Sequence, residues 1–378
     1  MLPESTPELQ ALIERIRAAS AAGTPLAITG HGSKAFLGGV PEGEPLSTLA
    51  LQGISSYEPT ELVVTARAGT PLAELEATLA AQGQCLPFEP PRLPGADGQA
   101  AGTVGGMVAA GLAGPARATA GSVRDYVLGA TVVNGRGELL SFGGQVMKNV
   151  AGYDLARLLA GSMGELGLIA EVSLKVLPEP PASATLHFSC DEATALERLN
   201  RWAGRPLPLS ASAWWAGSLL LRLSGARAAV AAAQAALAAE AGGEPVDPAQ
   251  AGPFWTGLRD QRDEYFEQAD AALRAGRAAL WRMSLPSTAA PVAGLRGEQL
   301  IEWGGAQRWW LSEAPAATVR AAATRLGGHA QLWRSADPAV RAEAGRAPLG
   351  PVLMRLHRQV KAAFDPAGVL SPGRLITA

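Results

Sequence analysis

Polar and apolar positions in the first third of the chain repeat with two different periods. Ser5-Thr6-Pro7-Glu8 sets a hydroxyl cap, an early proline and an early acid ahead of Leu9, Leu12, Ile13 and Ile16, a spacing that predicts an amphipathic opening helix. Thr70-Pro71 starts a second helix, with Leu72, Leu75 and Leu79 on one face and Gly83 placed to stop it. Between them, residues 26–29 and 62–66 read as short strands. Residues 127–133 and 138–142, joined through Asn134-Gly135, read as a hairpin, because Asn-Gly tolerates the positive φ of a tight turn. Ala170, Val172, Leu174 and Val176 alternate with Glu171, Ser173 and Lys175, which predicts a half-buried strand closing this part of the chain.

The pattern changes near residue 180. Residues 184–189 and 218–223 look extended and residues 192–202 and 226–240 helical; a similar succession recurs over 281–285, 300–303, 308–311, 315–326 and 331–334. All nine tryptophans fall between Trp202 and Trp333, while the long glycine motifs end at Gly167. Pro178-Glu179-Pro180-Pro181 ends the preceding strand and favours an extended linker. The expectation is an α+β chain with a first domain over 1–180 and a Trp-rich α+β cap over 181–345 carrying a degenerate internal repeat. A C-terminal segment over 346–378 follows, its helix at 352–364 stopped by Asp365-Pro366-Ala367-Gly368. Most tryptophans belong to the cap's core; exposed ones would anchor an interface.

Composition narrows the function. At 378 residues two or three units are expected, and a net charge of −2 supplies no basic excess for a nucleic-acid backbone. Cys85 and Cys190 stand alone and far apart, which rules out a disulfide scaffold and a self-contained iron–sulfur cluster. His31, His187, His329 and His357 show no close ligand spacing, so no metal site is expected. Residues 1–8 carry Glu4 and Glu8 and no apolar run, so no secretory signal is read and a cytoplasmic protein is expected. The uncharged stretch 98–116 is glycine- and alanine-rich with Pro115 near its end, a loop and core segment rather than a membrane span.

Three glycine-rich segments carry the candidate chemistry. Thr29-Gly30-His31-Gly32-Ser33-Lys34 follows the strand at 26–29; its glycines let successive N–H groups face an anion, with Ser33 adding a hydroxyl and Lys34 a cation. A tight strand-to-helix turn explains this run about as well. It spells neither a dinucleotide fingerprint, since no such βαβ unit follows, nor a Walker A loop, whose Gly-Lys-Ser order is reversed here. The second segment runs from Pro94-Gly95 through Thr103-Val104-Gly105-Gly106 to Gly121-Ser122-Val123-Arg124-Asp125-Tyr126 and reads as a second wall of backbone donors, or as close packing. The third is Met147-Lys148-Asn149-Val150-Ala151-Gly152-Tyr153-Asp154-Leu155, followed by Gly161-Ser162-Met163-Gly164-Glu165-Leu166-Gly167-Leu168-Ile169.

The order of these segments resembles the FAD-binding domain of the vanillyl-alcohol-oxidase, or p-cresol methylhydroxylase, superfamily. The Lys148 to Asp154 run is similar to the branch holding glycolate oxidases and D-lactate dehydrogenases. The likeness spans 25–178 and returns at Phe364-Asp365-Pro366-Ala367-Gly368-Val369-Leu370-Ser371-Pro372-Gly373-Arg374, with Ser371 where Asn is usual. It implies two α+β subdomains with FAD extended between them, a cap inserted into the chain, and a tail folding back onto the first domain. The pyrophosphate would lie on residues 29–33 and 103–106; Gly121, Ser122 and Gly164, Gly167, Leu168 and Ile169 would line the path from adenine to flavin. In covalent relatives the tethering histidine directly precedes the residue matching Ser33, a place held here by Gly32, so FAD is expected to be non-covalent and His31 a loop histidine.

Relatives that oxidise 2-hydroxy acids unaided have a longer cap with paired histidines and an acid around a divalent metal. This sequence lacks that cluster, and Met163 and Glu165 replace the acid and hydroxyl of the related Gly-Ser-Glu-Gly-Thr-Leu-Gly run. The shortened pattern is similar to the family of FAD-binding subunits of bacterial glycolate oxidases. That likeness implies a complex with a second FAD-linked subunit carrying the hydroxy-acid chemistry and an iron–sulfur subunit accepting electrons, associated through these partners with the inner membrane. Two other readings stay open: an independent flavin dehydrogenase holding a carboxylate with Arg222, Arg282 or Arg308, and a scaffold that FAD only stabilises.

Overall fold

A computed structural model describes residues 6–40, 42–95, 102–144, 153–276, 278–346 and 348–376. Residues 96–101 of the second glycine segment and 147–152 of the third lie outside the described residues. The chain divides into two compact units, one of residues 1–112, 122–179 and 348–378, the other of 113–121 and 180–347. Residues 113–121, expected in the first domain, thus belong to the second unit.

In the first unit the opening helix runs Pro7–Ala22. Thr6 accepts the Leu9 amide, and Gly23 ends the helix in the left-handed region at φ 66°. Its stripe of Leu9, Leu12, Ile13, Ile16 and Ala19 is buried in one core with Leu26, Leu168 and the tail residues Val369 and Leu370. Strands β1 (Leu26–Thr29) and β2 (Glu44–Ser47) pair in parallel, and Leu26 also bridges Leu370 in parallel. The tail therefore extends the β1–β2 pair.

The remaining strands of this unit are β3 (Ile54–Glu58), β4 (Val63–Arg67), β5 (Gln84–Cys85), β6 (Val127–Val133), β7 (Leu139–Gly143), β8 (Leu168–Lys175) and β9 (Leu177–Pro178). Five of them form an antiparallel sheet in the order β3-β4-β8-β6-β7, and β5 pairs with β9. The strand expected to be half-buried, β8, is the middle one of five. Six of its eight residues are buried, Glu171 and Lys175 stay half-exposed, and the polar Ser173 is satisfied by the Thr65 hydroxyl at 2.8 Å on β4.

The β6–β7 turn also differs from expectation. The positive φ belongs to Gly137 (69°), and the Asn134 carboxamide organises the loop by accepting the Arg136 and Glu138 amides at 2.9 and 3.0 Å. Gly135 serves another end: a Cβ there would lie 2.2 Å from Asp365 Oδ1, and its amide donates to the Phe364 carbonyl at 2.9 Å. It is the place where the tail crosses the hairpin.

The second unit is built on one antiparallel sheet of β10 (Ala182–Ser189), β11 (Leu209–Trp215), β12 (Ser218–Gly225), β13 (Glu244–Val246), β14 (Ala279–Ser284), β15 (Glu298–Glu302), β16 (Gln307–Ser312) and β17 (His329–Ser335). The order β13-β10-β12-β11-β15-β16-β14-β17 reads alike from either edge. In each half a hairpin (β11–β12, β15–β16) leads to a helix, Arg227–Ala241 or Ala316–Arg325, and then to the edge strand. Helix Glu192–Ala203 precedes the first hairpin, whereas residues 285–297 bring in no helix before the second. Seven tryptophans are buried and Trp215 and Trp303 half-buried, so none is exposed enough to serve as the expected interface anchor.

Candidate functional site

β1 delivers Thr29 to a turn that starts at Gly30 and passes through Gly32 at φ 71°. Among the described residues, the amides of Gly30, His31, Gly32 and Ser33 donate to no protein acceptor. Lys34 is buried, with its ammonium 3.3 Å from the Ser33 hydroxyl. Four free N–H groups, a hydroxyl and a desolvated cation make a cradle for a phosphate-like anion.

The facing wall is the helix Val104–Ala110, capped by Thr103. Its first amides are engaged: Val104 donates to the Thr70 carbonyl (3.0 Å), Gly105 to that of Ala68 (2.8 Å) and Gly106 to Thr103 Oγ1 (3.1 Å). The wall of donors expected at 103–106 is therefore a wall of close packing. A Cβ on Gly105 would lie 2.6 Å from the Ala68 Cβ, and one on Gly30 2.6 Å from Thr103 Oγ1. His31 is exposed, and its Nδ1 accepts the Gly102 amide at 3.4 Å.

Between these walls is a cavity of about 310 Å³, within the range of cofactor sites. It is lined by Thr29, Gly30, His31, Gly32, Ser33, Lys34, Thr103, Gly105, Gly106, Gly164, Gly167 and Ile169 of the expected residues. Pro94, Gly95, Val104, Gly121, Ser122, Arg124, Asp125 and Leu168 do not line it. Pro94 is exposed, and Val104 and Leu168 point into the core. Ser122 and Asp125 form a capping box for the short helix Val123–Tyr126, with the Ser122 amide 2.8 Å from Asp125 Oδ2.

The cavity also has walls beyond the expected cofactor-binding residues. Ala27, Ile28, Ala109, Ala110 and Met163 make it apolar, and Pro45 and Thr48 enter because β2 runs beside β1. Nothing local in residues 45–48 signals that role. Ser371 and Arg374 enter from the tail. The Ser371 hydroxyl accepts the Ile28 amide at 3.1 Å, and buried Arg374 donates to the carbonyls of Ala35, Gly39 and Lys34 at 3.1, 2.8 and 3.4 Å. Their place beside the first glycine turn could have been inferred from the C-terminal run they belong to.

The tail is held by a buried ionic group. Glu165 accepts the amides of Leu375 (2.7 Å) and Ile376 (3.4 Å); burial pushes its carboxyl up, and these amides and Lys361 offset part of that. Lys361 Nζ donates to the carbonyls of Glu165 (2.8 Å) and Leu370 (2.6 Å) and to Asp365 Oδ2 (2.6 Å). The substitution at Glu165 thus has a local use, fixing the tail segment that carries Ser371 and Arg374. Among the described residues no three of His, Cys, Asp and Glu gather as a metal site, and no helix is long and apolar enough to cross a membrane.

Residues 1–143 match the model of an FAD binding domain, and residues 340–375 that of the C-terminal domain of FAD linked oxidases. The chain is 46% identical to the glycolate oxidase subunit GlcE of Escherichia coli over 366 residues, 97% of each chain. It is 35% identical to a D-lactate dehydrogenase of Anaerostipes hadrus over 38% of this chain and 29% of that one. With the glycolate oxidase subunit GlcD of Bacillus subtilis the identity is 42%, over 22% of this chain and 18% of that one. Among solved structures, an alkyldihydroxyacetonephosphate synthase matches with a TM-score of 0.65 at 14% identity, covering 97% of this chain and 76% of that one, a likeness of fold.

Proposed function

The chain belongs to the family of the glycolate oxidase subunit GlcE, among the FAD-linked oxidoreductases, and we propose that it is the FAD-binding subunit of a multi-subunit oxidase of glycolate or a related 2-hydroxy acid. The supporting observation is identity at 46% sustained over 97% of both chains, cap included. In this reading glycolate is oxidised to glyoxylate in the cytoplasm by the assembled complex. A second FAD-linked subunit carries the hydroxy-acid chemistry, and electrons pass to an iron–sulfur partner.

The cavity fits the cofactor. The amides of residues 30–33, the Ser33 hydroxyl and Lys34 would hold the pyrophosphate, replacing its water and balancing its charge. Ile28, Ala109, Ala110 and Ile169 would exclude water from the adjoining part, and Ser371 and Arg374 keep β1 and the loop after it in place for that task. Bound FAD would supply an acceptor of electron pairs that can release them singly. Anaerobic addition of glycolate or D-lactate separates the readings. Bleaching of the flavin only with partners present supports the subunit, and bleaching of the isolated chain the independent enzyme. No bleaching in either case supports the scaffold.

One observation keeps the independent enzyme in play. Arg308 is fully buried, donating to the Ala289 and Ala290 carbonyls at 2.6 and 2.9 Å, and Arg222 donates to the Ser210 hydroxyl and lies over Trp255. Arg282 lies over Trp333 and donates to Gln331; burial, with Arg117 nearby, pushes its guanidinium down to about 10. Among the described residues Arg282 makes no ion pair, so an anion would relieve it. If the isolated chain bleaches with glycolate and Arg282→Met does not, this second reading replaces the first.

A further inference from the structure

The helix Pro351–Phe364 is built unlike the others of its length: none of its residues is buried. Its C-terminal end is fastened to the rest of the unit. Lys361 reaches the Glu165 and Leu370 carbonyls, the Phe364 carbonyl accepts the Gly135 amide, and the Phe364 ring meets Phe142 edge-on at 6.1 Å. In residues 351–359 Met354 is half-buried and the other side chains are exposed. A free-standing helix of this length is marginal in water, because helices in proteins draw most of their stability from a buried apolar face.

That face exists. At about 100° per residue, Val352, Leu353, Leu356 and Val360 fall within one arc of about 100°. Val352, Leu353 and Leu356 are 59%, 52% and 47% exposed. Arg355 and His357 flank the arc in a segment with no carboxylate from 351 to 364, in a chain whose net charge is −2. A surface that complements it is an apolar groove edged with carboxylates. An anionic bilayer suits it less well, since bilayer anchors of this kind use clusters of ~4–8 cations and interfacial aromatics.

We infer that residues 351–360 are a docking helix, received by an acid-rimmed apolar groove on the second FAD-linked subunit. The inference rests on the subunit reading and assigns the surface through which it is realised. It also gives the interface an anchor that the cap's tryptophans, all in or near the core, do not supply.

The full chain, co-expressed with the second FAD-linked subunit, is compared with Leu353→Glu/Leu356→Glu and with Arg355→Glu. Wild type is expected to co-elute with its partner. The double variant should elute alone, at least ~100-fold weaker in binding, with its FAD and unfolding temperature unchanged because both side chains are exposed. Arg355→Glu should lose about 3- to 10-fold, the loss shrinking in high salt. Co-elution of the double variant at wild-type affinity overturns the docking helix and leaves the subunit reading standing. Failure of the wild-type chain to pair overturns the subunit reading itself. Two further results would replace the proposed groove: a wild-type homodimer that the double variant dissolves, or flotation of the wild-type chain with phosphatidylserine vesicles.

Discussion

Replacing Gly30 with alanine places a methyl carbon 2.6 Å from Thr103 Oγ1 and 3.0 Å from its Cγ2. Thr103 cannot easily give way. It is 1% exposed and β-branched, and its hydroxyl caps the helix Val104–Ala110 through the Gly106 amide at 3.1 Å. Overpacking of this kind costs about 1–3 kcal/mol, and rotating the hydroxyl away would lose a cap worth about 1 kcal/mol. If the anion turn shifts instead, the penalty appears in FAD affinity, about 10- to 100-fold for the same energy. Titrating apoprotein with FAD by fluorescence, alongside denaturant unfolding, measures both parts. The discriminating experiment is a double-mutant cycle. Thr103→Ala alone should lose only the cap, about 1 kcal/mol, and Gly30→Ala should then add little, because the atoms it would strike are gone. Equal cost of Gly30→Ala in both backgrounds would refute the contact, and with it the claim that these two walls bound one cofactor site.

Further outcomes follow from the same contacts. Acid precipitation should release yellow FAD into the supernatant, since Gly32 stands at the tethering position; colour remaining in the pellet would refute non-covalent binding. Lys361→Met leaves the buried Asp365 carboxylate without its cation and should destabilise the chain by about 3–5 kcal/mol in denaturant unfolding, with Lys361→Met/Asp365→Asn recovering more than half. Asp263 caps the helix Glu264–Arg274, and burial raises its carboxyl from 3.8 to about 6. Its raised folded value means that stability is full below about pH 4 and falls as pH rises through 6, by about 3 kcal/mol at most. Asp263→Asn keeps the cap and removes that fall, so it should match wild type near pH 4 and exceed it at pH 7; a gap independent of pH would contradict the assignment.

The helices were legible wherever one face had a single job. Leu9, Leu12, Ile13 and Ile16, or Leu72, Leu75 and Leu79, each pack against one core, so their spacing reports it directly. The helices Pro248–Asp260 and Glu264–Arg274 escaped notice because the first carries Pro253 inside and both are rich in polar residues. β8 departs from its pattern for a related reason. Its alternation of Glu171, Ser173 and Lys175 with apolar residues imitates a solvated face, but cross-strand partners satisfy Ser173 and leave it buried. Periodicity records polarity, and polarity equals exposure only where no partner is at hand.

Glycines divide along the same line, and the division explains how much of the site the sequence could show. Gly32, Gly164 and Gly167 have φ of 71°, 81° and 147°, a property of their own backbone that a local motif can encode. Gly30, Gly105 and Gly135 are needed because of Thr103, Ala68 and Asp365, neighbours that only the fold brings near. The donor cradle at 30–33 was therefore readable as a run of residues, whereas the helix opposite it looked like a second cradle until its amides were found bonded to Thr70, Ala68 and Thr103. The same reasoning bears on catalysis. A cofactor site made mostly of backbone leaves a glycine signature, but a substrate-holding group would be a single side chain such as Arg282, whose lack of an ion pair among the described residues is visible only once its neighbours are in place. Substitution of Arg282 tests that side chain directly, and the wild-type result with partners present decides whether the chain needs it at all.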